Sequence, residues 1–245
     1  MSPLLAEVIG TAILVLLGNG VCANVNLKGT LGNSSGWMVI ATSWGLAVAF
    51  AVYLVNAHSG AHLNPAVTVG LAAIGKFAWS DVAGYVVAQI AGATIGAGLV
   101  WLTYLPHWNE TTDAGAIRGC FCTGPAIPHM VGNVMAEAIG TFALMLGVLG
   151  ILTPQNLVPN SGFQEGLAPA LVGLMVWSIG LSLGGPTGYA INPARDLGPR
   201  IAHALLPIRH KGDPGWSYAW VPIVGPLIGG VVAAFFYQLV WPASV

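Results

Sequence analysis

Asn64-Pro65-Ala66 and Asn192-Pro193-Ala194 place the same three residues 128 positions apart in one chain. Neither asparagine belongs to a nucleophile–base set, so the chemistry on offer is hydrogen bonding and electrostatics. Asn before Pro is a helix start: the side chain accepts from orphan N–H groups, and proline at the first helical position sacrifices no hydrogen bond. With the oxygen used as a cap, the amide NH₂ of each asparagine is left free to donate into a channel. Each start also carries the positive end of a helix dipole, nominally about +0.5 charge. Two such ends aimed at one spot repel cations and protons and leave neutral solutes alone. The surroundings of the triplets differ. Three residues past Asn64 stands Val67, but three past Asn192 stands Arg195; three before them stand Ala61 and Tyr189. One half thus supplies a fixed cation and an aromatic ring that the other lacks, which puts the polar, narrow end of a pore on the second triplet's side. Arg195 is expected away from lipid, where a charge at the bilayer centre costs at least ~2.5–3.5 kcal/mol.

Such groups must be held by elements suited to a membrane. The apolar fraction is 56% and the charged fraction 6%, against roughly 25% charged in soluble domains. Fifteen Asp, Glu, Lys and Arg side chains in 245 residues cannot cover a soluble surface of that size. A net charge of −1 excludes a nucleic-acid binder, which needs a basic patch for phosphates. Six apolar stretches reach spanning length: 4–25, 37–55, 82–105, 131–152, 167–183 and 220–240, since about 20 residues cross ~30 Å of hydrocarbon. Segments 65–75 and 193–206, opened by the two prolines, cover only about half that depth. Irregular backbone precedes both, and at membrane depth it is tolerated only when buried in protein or lining water. These segments are therefore read as re-entrant half-helices.

The halves repeat. Ala6-Glu7-Val8-Ile9-Gly10-Thr11 recurs as Ala136-Glu137-Ala138-Ile139-Gly140-Thr141. Three spans per half force the second half to enter from the opposite face, giving inverted repeats whose half-helices meet near the midplane. The expected layout is one channel domain over residues 1–245, with repeat 1 at about 1–105, repeat 2 at about 131–245 and a connecting loop at 106–130.

Segments 59–67 (Ser-Gly-Ala-His-Leu-Asn-Pro-Ala-Val) and 188–196 (Gly-Tyr-Ala-Ile-Asn-Pro-Ala-Arg-Asp) closely resemble the signature loops of the aquaporin, or major intrinsic protein, family. The resemblance covers essentially the whole chain. It implies an all-α membrane protein: six transmembrane helices and two half-helices in a right-handed bundle, assembled as a homotetramer in the cell membrane. It implies passive conduction of glycerol, water and other small neutral solutes, with no chemistry, cofactor or metal. Its selectivity filter falls on Trp44, Gly180, Tyr189 and Arg195, and its loop supports on Glu7, Glu137 and His62, with Gln89 in a similar part. Water-selective members usually carry His where this chain has Gly180; the glycine is expected to widen the pore and remove a polar wall. Asp196, Arg200 and Pro222-Ile223 agree with the glycerol-conducting branch, whereas Tyr189 departs from its usual Phe. A strict water channel stays open as an alternative, as does a proton-coupled transporter acting through Glu7 or Glu137.

The remaining reactive residues carry weaker signals. Cys22, Cys120 and Cys122 lack the spacing of a metal site and read as free thiols. His58 is the candidate for gating near one mouth; His107, His129, His203 and His210 read as interfacial or loop residues. Trp108, Trp216, Trp220 and Trp241 read as membrane-interface anchors. The N-terminal stretch lacks a basic n-region and reads as a first span, not a cleaved signal. Lys28, Arg118, Arg200, Arg209 and Lys211 fall on one side and Lys76 nearly alone on the other. The positive-inside rule would then put the termini outside, whereas the family places both in the cytoplasm; that orientation is adopted here.

Overall fold

Each long helix begins and ends where local chemistry lets it. The structure, a computed structural model, describes residues 1–153, 156–159 and 161–241. The spans are α1 (Pro3–Asn26), α2 (Trp37–Ser59), α4 (Trp79–Thr103), α7 (Met130–Ile151), α8 (Gly162–Leu183) and α10 (Val221–Val240), and the half-helices are α3 (Pro65–Ala73) and α9 (Pro193–Leu205). Ser2 caps α1 by accepting from Leu5 N–H, and Ser161 caps α8 by accepting from Gln164 N–H. That serine starts α8 five residues earlier than expected, with Pro169 accommodated inside the helix. α2 likewise runs four residues past the expected end, to Ser59. Gly60 then stops it in the left-handed conformation, its N–H returning to the Asn56 carbonyl, a common glycine C-cap.

The connecting segment is not a plain loop. It contains α5 (Leu105–Glu110) and α6 (Ala114–Gly119), the latter capped by Asp113 through Gly115 and Ala116 N–H. Trp108 is buried here against Phe121, with ring centroids 5.4 Å apart. It is therefore no interface anchor; Trp216, Trp220 and Trp241 are exposed. His203 is fully buried too, pairing with the Lys211 carbonyl at 3.1 Å, and not the interfacial residue the sequence suggested. Both are enclosed because the connecting segment folds back over the end of α9.

The repeats pack alike. α4 lies on α1 and α10 on α7, in each case through a Gly-x-x-x-Gly pair. A Cβ added at Gly92 or Gly96 would strike the carbonyls of Val8 and Ala12, and one at Gly225 or Gly229 those of Val134 and Ala138. Such close backbone approach holds helices together in lipid, where apolar burial gives no driving force between them. The half-helices cross over: α3 packs on α10 of the other repeat, and α9 on α4. Each repeat thereby holds the other's loop at the centre.

Candidate functional site

The two irregular loops meet through their asparagines. Asn64 Oδ1 accepts from Ala66 N–H, and Asn192 Oδ1 from the N–H groups of Ala194 and Arg195. Their amide nitrogens are not wholly free, as the sequence suggested. Asn64 Nδ2 donates to the Ile191 carbonyl at 2.8 Å, and Asn192 Nδ2 to the Leu63 carbonyl at 2.7 Å. A primary amide carries two N–H donors, so one from each side chain stitches the loops together and one is left. Both asparagines line a single cavity of about 360 Å³.

The loop backbone is strained in a paired pattern. Ala61, Leu63, Tyr189 and Ile191 all adopt positive φ, between 37° and 51°. Left-handed conformations cost non-glycine residues roughly 1–2 kcal/mol each, and β-branched Ile191 is a true outlier. Two buried carboxylates hold the strain. Glu7 accepts from Ser59 Oγ and His62 N–H on one oxygen, and from Leu63 N–H and Gln89 Nε2 on the other. Glu137 accepts from Thr187 Oγ1 and Ala190 N–H on Oε1, and from Ile191 N–H on Oε2. His62 completes the first brace through Thr68 Oγ1 at 3.1 Å, its ring packed on Phe77 and Tyr85. Neither glutamate reaches the cavity wall.

Four residues past Asn64 stands Thr68; four past Asn192 stands Asp196. That carboxylate anchors the first turn of α9. Asp196 Oδ2 accepts from Thr123 N–H and Oγ1, at 2.7 and 2.6 Å, while Oδ1 pairs with Arg200. Arg200 spends its other N–H groups on the carbonyls of Thr123, Pro214 and Gly215. Both ionic groups are 1% exposed, so α9 is latched to the connecting segment and to the loop before α10. Sequence reasoning missed Thr123, because nothing local distinguishes it.

Trp44, Tyr189 and Arg195 line the same cavity. The Arg195 guanidinium lies over the Trp44 indole, 4.1 Å from its centroid, a cation–π contact. Arg195 Nη1 and the Tyr189 hydroxyl are buried atoms with no protein partner. Gly180 does not line the cavity. A Cβ there would meet Cζ and the hydroxyl of Tyr189 at 2.7 Å. The room left by the glycine is filled by the tyrosine ring, so the expected widening at Gly180 becomes a seat for Tyr189. Trp37, which the sequence did not single out, fixes that seat: its Nε1 donates to the Gly180 carbonyl and its ring meets Tyr189 edge-on at 5.7 Å.

The sequence matches the family described as major intrinsic protein over residues 1–237. The chain belongs to the major intrinsic protein family. Among members of this family, a probable glycerol uptake facilitator protein of Thermotoga maritima is 60% identical over 97% of this chain and 99% of its own length. A glycerol uptake facilitator protein of Bacillus subtilis is 54% identical over 100% of this chain and 87% of its own. The X-ray structure of the aquaglyceroporin from Plasmodium falciparum superposes with a TM-score of 0.84 at 33% identity, covering 97% of this chain and 95% of that one. The fold shared with this major intrinsic protein is therefore a multi-pass membrane fold.

Asn56, Lys76 and Leu152 also line the cavity. His58 is exposed at the end of α2 and lies off this wall. Cys22, Cys120 and Cys122 are free and buried. Burial pushes the Cys122 thiol up to about 12, with Asp196 adding to the shift, so it stays protonated at physiological pH.

Proposed function

We propose that this chain is a passive channel for glycerol and other small neutral solutes, also passing water and excluding ions and protons, with no chemical step and no cofactor. One observation carries the reading. In the cavity wall, an indole and a phenol ring stand beside a guanidinium that keeps an unpartnered buried donor. A polyol has a carbon edge for the rings and a hydroxyl edge for the donor. The facilitator relatives support the same solute class. In this reading Asn64-Pro65-Ala66 and Asn192-Pro193-Ala194 form the central barrier, and Trp44, Tyr189 and Arg195 form the filter with Gly180 as the seat of Tyr189. Glu7, Glu137 and His62 hold the loops. Residues 1–245 act as one domain in the bilayer and assemble as a homotetramer with one pore per subunit; nucleic acid plays no part.

A strict water channel is the second reading, favoured by the tyrosine ring that fills the space at Gly180. The glutamates, placed off the cavity wall with both oxygens of each accepting hydrogen bonds from the protein, give no support to proton coupling. Stopped-flow light scattering on proteoliposomes separates the readings. Under a glycerol gradient the protein should speed re-swelling well above lipid background, and under a sucrose gradient it should speed shrinkage alone. Accelerated water flux with glycerol at background selects the water channel; glycerol accumulation driven by a proton gradient selects the transporter.

A further inference from the structure

The family filter positions lie on α2, α8, the loop before α9 and the first turn of α9, but the back of the filter is built by α1. Gly18 is buried there, and a Cβ added to it would run into Cε3, Cζ3 and Cη2 of Trp44. The six-membered ring of the indole therefore rests on the bare backbone at position 18. One turn on, Cys22 is also buried and takes the indole edge, with Trp44 Nε1 donating to its Sγ at 3.5 Å. Arg195 lies over the same indole, 4.1 Å away. The indole is thus located between α1 and the guanidinium, 3% exposed.

We propose that Gly18 is a specificity-determining position: its missing side chain sets how far the Trp44 indole recedes, and so the largest neutral solute that passes between the indole and Arg195. The inference rests on the reading of this cavity as a solute pore. Any side chain at 18 would stand 2.3–2.4 Å from the indole carbons and must displace the ring by more than about 1 Å, because carbon atoms pack at about 3.5–4.0 Å. α1 is tied to α4 by backbone-to-backbone packing at Gly92 and Gly96 and cannot back away. The indole therefore moves, and it moves towards the lumen or twists off the Cys22 sulfur.

The test uses the full chain in proteoliposomes, with water, glycerol and a four-carbon polyol as probes. Gly18→Ala should lower glycerol permeability about tenfold, the scale on which one methylene discriminates in a tight site, and the four-carbon polyol further, while water stays within about twofold. The Trp44→Phe channel, whose smaller ring leaves the space over position 18 empty, should show no such loss when Gly18→Ala is added to it. An unchanged glycerol-to-water ratio in Gly18→Ala, or the same loss on both the Trp and Phe backgrounds, overturns the proposal. If Gly18→Ala is not recovered as folded protein, the Trp44→Phe pair decides by itself. A wild-type protein that passes no glycerol overturns the pore reading and this inference together, whereas a conducting wild type with an unaltered Gly18→Ala ratio overturns this inference alone.

Discussion

Arg195 is buried at 8% exposure, carries a full charge, and leaves one guanidinium nitrogen without a protein partner. A buried donor left unmade costs about 1–3 kcal/mol, and that cost is relieved when a passing hydroxyl or water takes the bond. The same charge repels cations in a low-dielectric constriction. Arg195→Val should therefore raise urea permeability and cation leak together. Unchanged selectivity in ion-flux and urea-flux assays would sink this role. The mutation also frees the Trp44 indole from its cation–π contact, worth about 2 kcal/mol when desolvated, so some loss of thermal stability is expected beside the selectivity change.

At the scale of the elements, each half-helix depends on a carboxylate from the first helix of its own repeat. Glu137 accepts from Thr187, Ala190 and Ile191 without any donor of its own. Glu137→Gln keeps the shape but turns one oxygen into an NH₂ group facing N–H or O–H donors. One loop donor is then left buried and unpaired, at about 1–3 kcal/mol. The expected outcome is a clearly lower unfolding temperature in detergent, with solute flux falling as Tyr189 and Ile191 relax from positive φ. A wild-type melting curve would show that the carboxylate is not what holds the loop. Half-helix starts were legible because Asn-Pro is a local signal. The strained residues between them were not, because alanine, leucine and isoleucine carry no sign of left-handed backbone; a remote carboxylate imposes it.

For the whole molecule, the coupling that matters joins segments far apart in sequence. Asp196 ties α9 to Thr123 in the connecting segment, and Arg200 extends the tie to Pro214 and Gly215. Asp196→Ala leaves the Arg200 charge buried without its partner, which costs about 3–5 kcal/mol. Reduced thermal stability is expected, together with proteolytic opening near Thr123. Asp196→Ala with Arg200→Met, which removes both charges, should recover most of the loss, since apolar replacements for a buried pair are often neutral or better. Equal destabilisation in the single and double variants would argue against the latch.

Much of this protein follows from local rules: the length of an apolar run, a proline behind an asparagine, three spans per repeat and hence their inversion. These depend on neighbours in sequence and on the thickness of a membrane, so the six spans, the two half-helices and the asparagine, tyrosine and arginine positions were readable from residue order. The largest shifts of helix ends came where a cap, Ser161 or Gly60, outranked hydrophobicity. Tertiary packing decided the rest. It spent one amide hydrogen of each asparagine on the opposite loop, filled the space at Gly180 with Tyr189, buried Trp108 and His203, and put Gly18 behind Trp44. Each of these is a contact between residues brought together by packing, where a missing side chain gains its meaning from the group that moves into its place.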